Sequence, residues 1–346
     1  MSVQAQENKN LNSNLQETEP TFHKTEMFKS TLSDEDDYNF LLESPLPYFL
    51  IAIAYSLFYI GVYFHNQCIL ILFVYGVLPL CDKFVSLDLI NPSKEKQKKL
   101  KQKNTLFKIP LYFAVFMEVF TFIYGIKHMM EHNHDYFYLF TLLFVLATFQ
   151  GVSFNYSHEL NHKVDKLDNL IGCILLIKNF YLHWYVEHNY GHHRFVATPR
   201  DPASAVKGQT FYNFFPKSFI GSFTSSIQVE NEIIKDEGRS QLTNRVYWSF
   251  VIYIIYVLGL FYFFSSIHAI SIIGIGIIGA FYLEIVNYLE HYGLRREKLP
   301  NGEYENVSIH HSWNTPHRLT NYFLFKLQRH SDHHANALKP YQTLLI

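Results

Sequence analysis

The chain has 346 residues, 49% of them hydrophobic and 17% aromatic, and a formal net charge of −1. That length allows one large domain or two small ones, and the charge balance excludes a global basic field of the kind that gathers nucleic acid. Its three cysteines, Cys68, Cys81 and Cys173, lie in apolar runs without a CxxC pair, which argues against a disulfide framework or a CxxC metal module within the chain.

Residues 1–44 begin "MSVQAQENKNLNSNLQETEP", polar and without the apolar core of a signal peptide. They are expected to form a disordered cytosolic tail. A single membrane domain is expected over 45–346. Six nearly uncharged stretches are long enough to cross a bilayer, which takes roughly 20 apolar residues. They fall at about 47–65, 67–84, 109–126, 136–156, 246–266 and 269–290. The expected fold is an all-α integral membrane protein, six transmembrane helices in three hairpins, with histidine-rich segments 157–245 and 291–346 on one side. An even number of spans puts both termini on that side. Of the 29 Lys and Arg residues, 28 then lie there and only Lys127 lies opposite. This is the positive-inside pattern, so that side is read as cytoplasmic. The lysine run "KEKQKKLKQK" (94–103) reads as a solvated loop touching anionic headgroups rather than a nucleic-acid site. "NLIGCILLIKNFYLHW" (169–184) and "FYNFFPKSFIGSF" (211–223) are apolar but do not span. The second is read as broken by Pro216, and both suit an interfacial or re-entrant placement.

The 19 histidines are the outlier. "SHELNHK" carries His158 and His162 at i,i+4, which puts both imidazoles on one helical face. "EHNYGHHR" carries His188, His192 and His193, read as a second i,i+4 pair (188 and 192) with His193 turned away. "NYLEHYGL" adds His291, and "LQRHSDHHA" (327–335) adds His330, His333 and His334. Adjacent histidines point to two neighbouring metals. Nine nitrogen ligands exceed the four of a structural zinc site and suit two metals with open positions, with iron the choice for oxygen chemistry. His158 and His291 each follow the end of an expected span, so remote segments deliver imidazoles to the same depth. Glu159, Glu187, Glu290 and Asp332 are the carboxylates expected to orient these rings from outside. Of the other histidines, His183, His310, His311 and His317 are read as polar packing, with His311 the first reserve ligand. His23 lies in the tail, and His65, His128, His132, His134 and His268 lie in or beside loops on the far side. Glu118 and Glu284 stand inside spans, where an ionisable group is a functional candidate by default. Glu284 either faces a cavity below the metals or is held by hydrogen bonds between helices.

These motifs resemble the membrane-bound alkane monooxygenases, within the histidine-rich diiron superfamily of desaturases and hydroxylases. The three boxes are "HELNH" (158–162), "HNYGHH" (188–193) and "HSDHH" (330–334). "EHNYGHHRFVATPRDPASA", "NYLEHYGL", "HSWN" and "LQRHSDHHANALKPYQTL" look like the alkane hydroxylase branch, and the likeness runs from about residue 47 to 346. The resemblance implies two non-haem irons held by His158, His162, His188, His192, His193, His291, His330, His333 and His334. It implies terminal hydroxylation of medium- or long-chain n-alkanes by O2, at a diiron cap on the cytosolic side. Electrons would come from a rubredoxin and its NAD(P)H-dependent reductase, and substrate from the bilayer, through an apolar tunnel that the aromatic run 111–125 is one candidate to line. The sequence departs from the family by stopping at Ile346, soon after the third box, which puts the stability of the cap in question.

Three other readings use the same residues. A fatty-acid desaturase or hydroxylase would share the boxes but need a polar site for a carboxylate or headgroup. "HELNH" satisfies HExxH, so an intramembrane zinc protease with Glu159 as base is a second alternative. A metal carrier or transporter would be expected to spread its ligands through the spans.

Overall fold

The computed structural model describes residues 43–132 and 134–346. The expected tail lies outside the described residues except for its last two positions. Among the described residues the fold is helical, with only an isolated bridge between Lys298 and Tyr304 in place of a sheet.

The chain enters through a 3-10 turn, Leu46–Leu50, that runs into α1, Ile51–Tyr63. The stretch expected as the second span is helical from Cys68 to Phe84 but in three pieces. They are α2 (Cys68–Leu72), a π turn (Phe73–Val77) and α3 (Leu78–Phe84). A lysine-rich helix α4 (Lys94–Gln102) is capped by Ser93 and leads to α5 (Asn104–Glu131), which overruns both ends of the span expected at 109–126. Hydropathy marks only the apolar part of such a helix. The polar flanks "NTLFK" and "KHMME" contain no breaker, so the backbone stays helical through them.

The central element is α6, Tyr136–Asn161, started by Asp135, whose carboxylate accepts from the Tyr138 amide at 3.0 Å. It packs against α5, α7 (Lys166–Ile177) and α10 (Ser266–His291). Gly151 of α6 lies against the Tyr282 side chain, and Gly279 of α10 lies against Gln150, so α6 and α10 approach closely, as small residues permit in membrane bundles. Between them in sequence come α8 (Phe211–Asp236) and α9 (Arg245–Phe263), the latter capped by Asn244. The expected break at Pro216 does not occur. Pro216 stands early in α8, where loss of one N–H bond and a local carbonyl clash are absorbed without ending the helix.

Five helical stretches, Leu46–Tyr63, Asn104–Glu131, Tyr136–Asn161, Arg245–Phe263 and Ser266–His291, are long and apolar enough to cross a membrane. Only 17% of the α9 window is buried, and Ile254, Ile255, Leu258 and Tyr262 stand exposed. An apolar helix with so little protein cover is at home in hydrocarbon rather than water.

The two acids inside the spans are internal fastenings. Glu118 of α5 is bonded to Gln150 of α6 and paired with Lys178, just past α7. Glu284 of α10 accepts from the Tyr181 hydroxyl at 2.7 Å and from Asn287 at 3.3 Å.

The C-terminal part, with α11 (Arg318–Phe323) and α12 (His330–Ala335), closes one end of the bundle. Asp82 at the end of α3 accepts from the Leu319 and Thr320 amides at 2.6 and 2.9 Å, capping α11. Arg329 is fully buried, 2.8 Å from the Asp88 carboxylate, and also donates to the Asp88 and Leu344 carbonyls. The Tyr341 hydroxyl donates to the Phe107 carbonyl at 2.7 Å. The residues after the third box are therefore packed down.

Candidate metal centre

All nine histidines of the boxes and of "NYLEHYGL" meet at the end of the bundle where α6 and α10 finish, and they fall into two sets. His158, His162, His188, His193 and His333 form one, and His192, His291, His330 and His334 the other. Within each set the ligand atoms all lie within 4.8 Å of one another.

Helical register explains the sorting, with one correction. His158 and His162, at i,i+4 on α6, share a set, as do His330 and His334 on α12. The expected pair His188 and His192 is split. Residues Glu187–His192 form a π turn, whose wider i,i+5 repeat brings His193, not His192, over His188. The Nε2 atoms of His188 and His193 are 3.1 Å apart, and His192 faces the other set. The neighbours His333 and His334 divide in the same way, so both adjacent pairs give one ring to each set.

The nitrogen spacing is that of a ligand cage. In the first set Nε2 separations are 3.1 Å for His162–His188 and 3.1 Å for His193–His333. In the second they are 3.3 Å for His291–His330 and 2.9 Å for His330–His334. Metal–nitrogen bonds of about 2.0–2.1 Å require neighbouring ligand atoms about 3 Å apart. Burial, reinforced by the neighbouring imidazoles, holds His162, His188, His193, His330, His333 and His334 well below the ordinary histidine range. The rings are neutral, the form that ligates. The Nε2 atoms of His158 and His192 are buried without a protein hydrogen-bond partner, and both rings belong to the cage.

The outer groups that set ring orientation differ from those expected. The His192 Nδ1 lies 3.0 Å from Asp201, whose carboxylate also takes the Ser204 hydroxyl at 2.6 Å. Burial pushes the Asp201 carboxyl up, but the facing His192 ring and the hydrogen bonds from His192 and Ser204 outweigh it and keep it low. An Nδ1–H held by a carboxylate leaves the Nε2 lone pair free to ligate. The His291 Nδ1 is held 3.2 Å from the His311 carbonyl and 3.4 Å from the Ser312 hydroxyl. The "HSWN" segment thus serves through the His311 carbonyl and the Ser312 hydroxyl, and the His311 ring faces Glu305 instead. His188 is stacked on Trp184 at 4.2 Å.

Of the four expected acids, only Glu290 meets a cage histidine. Its carboxylate lies 3.2 Å from the His330 Nε2, on the inner face rather than behind the ring. Glu159 pairs with Lys163 and accepts from the Tyr341 amide, Glu187 takes the Ser225 hydroxyl, and Asp332 pairs with Lys339 and accepts from the Leu345 amide. These three tie the cap together. Asp201 was missed because it stands nine residues past its histidine, across the "VATPR" turn, at no helical spacing. Glu159 is engaged by Lys163 and the Tyr341 amide, and His158 and His162 share their set with three more histidines, which differs from the two-histidine grip of an HExxH protease.

A small cavity of about 30 Å³ is lined by His158 and His188 of the first set, His330 of the second and Glu290, together with apolar residues that include Phe154 and Leu283. It lies along α6 and α10, not along 111–125, and Glu284 does not reach it.

We expect Asp201→Ala to weaken metal binding by about 10–100-fold, the usual cost of losing a ligand's outer partner, without unfolding the protein. Metal retained after graded chelation, counted by mass spectrometry, checks this.

Residues 135–345 match the model of the fatty acid desaturase family. The chain is 35% identical over 277 residues to an alkane 1-monooxygenase of Acinetobacter baylyi, covering 78% of this chain and 66% of that protein. It is 36% identical over 272 residues to alkane 1-monooxygenase 1 of Alcanivorax borkumensis, covering 78% and 67%. A xylene/toluene monooxygenase hydroxylase component of Pseudomonas putida is 27% identical over 197 residues, covering 56% and 52%. The chain spans about two thirds of the length of these two alkane relatives.

Proposed function

Because the chain belongs to the fatty acid desaturase family and, within it, to the alkane 1-monooxygenases, we propose that it hydroxylates the terminal carbon of medium- or long-chain n-alkanes with O2. The observation that carries this reading is the convergence of nine imidazoles into two adjoining cages beside a cavity with apolar walls. His158, His162, His188, His193 and His333 would hold one iron, and His192, His291, His330 and His334 the other. Bound iron supplies activation of O2 and oxidation of the C–H bond.

The chain's own residues do the rest. Asp201 and the His311 carbonyl fix the rings of His192 and His291. Trp184 holds His188. Phe154 and Leu283 offer an alkyl end no hydrogen-bonding group, as a substrate with no polar handle requires, and the cavity admits little more than that end. Glu290, half-buried beside His330, is placed to take or give a proton at its Oε2.

The proposed topology keeps six spans in three hairpins, counting the α2–α3 run as the second, with the cage and both termini cytoplasmic. The distribution of Lys and Arg supports this. A rubredoxin, re-reduced by an NAD(P)H-dependent reductase, would supply electrons. Lys98, Lys101 and Lys339 border a surface hollow of about 590 Å³ beside the third box, a basic face suited to an acidic carrier.

Product analysis tests the reading. The chain is expressed in iron-supplied cells with a rubredoxin and its reductase, and fed n-alkanes, toluene-type aromatics and fatty acids together. Primary alcohols from alkanes, absent with His192→Ala, are the expected result. New double bonds or hydroxy acids without alkanols would replace it with the desaturase reading.

A further inference from the structure

At the other end of the bundle a second histidine group stands apart from the cage. His128 and Glu131 close α5, and His132 caps it. Ligand atoms of these three residues lie within 4.8 Å of one another. The two imidazoles are at i,i+4, with rings nearly parallel at 10° and centroids 5.3 Å apart. That spacing on one helical face suits a shared cation. The His132 Nδ1 lies 3.1 Å from the His128 carbonyl. A carbonyl only accepts, so Nδ1 carries the proton and the Nε2 lone pair is free. The His128 Nδ1 is buried without a hydrogen-bond partner.

His65 stands next to His132, outside the three-residue group. It sits in the turn between α1 and α2 with φ of 49°, in the left-handed region that favours glycine. Its ring stands edge-on to His132 at 4.4 Å and is stacked on Tyr138 at 5.3 Å. The one cation in this group's own ion pairs is Lys127, 3.6 Å from Glu131, with both side chains largely exposed. Such a pair contributes little, so the carboxylate can turn to another cation at small cost.

We propose that His128, Glu131 and His132, with His65 available for a fourth position, bind a borderline divalent transition-metal ion such as Zn2+. Two imidazoles and a carboxylate are a zinc-type donor set. The site is about 30 Å from the nine-histidine cage, measured along α6 from Tyr136 to His158. It therefore takes no part in the chemistry there. An ion bound here joins the turn after α1 to the end of α5.

The test uses the full chain with its cage loaded with iron, exposed to micromolar Zn2+ and freed of excess by gel filtration. Zinc and iron are counted per chain. The wild type is expected to keep one zinc more than His132→Ala or His128→Ala, at equal iron. Glu131→Gln, an exposed and conservative change, is expected to weaken zinc binding at least about tenfold. Equal zinc in the wild type and His132→Ala, at equal iron, overturns the proposal. If His132→Ala loses iron as well, Glu131→Gln decides, and unchanged zinc affinity there overturns it.

Discussion

His291→Ala is expected to strip one metal from the protein and to lower alcohol formation by more than about 100-fold. Loss of a ligand's outer partner alone costs about 10–100-fold, and His291 is proposed as a ligand itself. Its set has four imidazoles against five in the other, so it has less to spare. Removing His291 leaves His192, His330 and His334, and it vacates a fully buried position at the end of α10. His158→Ala leaves four imidazoles in its set and is expected to retain more metal. Iron per chain by mass spectrometry, with product yields for both variants, checks the order. A His291→Ala protein that keeps both metals would show that His291 is not a required ligand.

Arg329→Met is expected to cost about 3–5 kcal/mol of stability, the range for breaking a buried ion pair from one side. The guanidinium is fully buried and meets the Asp88 carboxylate, the Asp88 carbonyl and the Leu344 carbonyl. Methionine fills much of the volume but removes the guanidinium from the Asp88 carboxylate, while Lys326 stays at 3.3 Å. Burial and the Arg329 charge pull Lys326 down to about 8, and the substitution relieves the second of these. His330 follows Arg329 directly, so loosening there should release metal as well. Lys326→Met, which leaves the Arg329–Asp88 pair in place, is expected to be milder. Thermal unfolding followed by intrinsic fluorescence, with metal counts before and after, separates the two. Equal melting temperatures for Arg329→Met and the parent would contradict the role given to this pair.

The sequence carried the cage histidines through two separate signals. His158 and His291 were legible because each follows the end of an apolar run. His162, His330 and His334 were legible because i,i+4 places rings on one face. His192 stands with the second set and not with His188, since a π turn of six residues leaves no mark in hydropathy or in residue type. The same limit divided Cys68–Phe84 into pieces where an unbroken span was expected. The outer carboxylates failed for a different reason. Adjacency in sequence favoured Glu159, Glu187 and Asp332, but a residue beside a ligand on a helix points away from it. Asp201 and the His311 carbonyl reach their rings through turns, and turns bring together residues that no periodicity links.

The two adjacent pairs, His192–His193 and His333–His334, each divide their rings between the two cages. An inserted or deleted residue between His188 and His193, or between His330 and His334, would therefore hand each cage a ring meant for the other. No compensating shift in one segment could repair both. Within these two short segments the reading frame of side chains is fixed as firmly as the residues themselves.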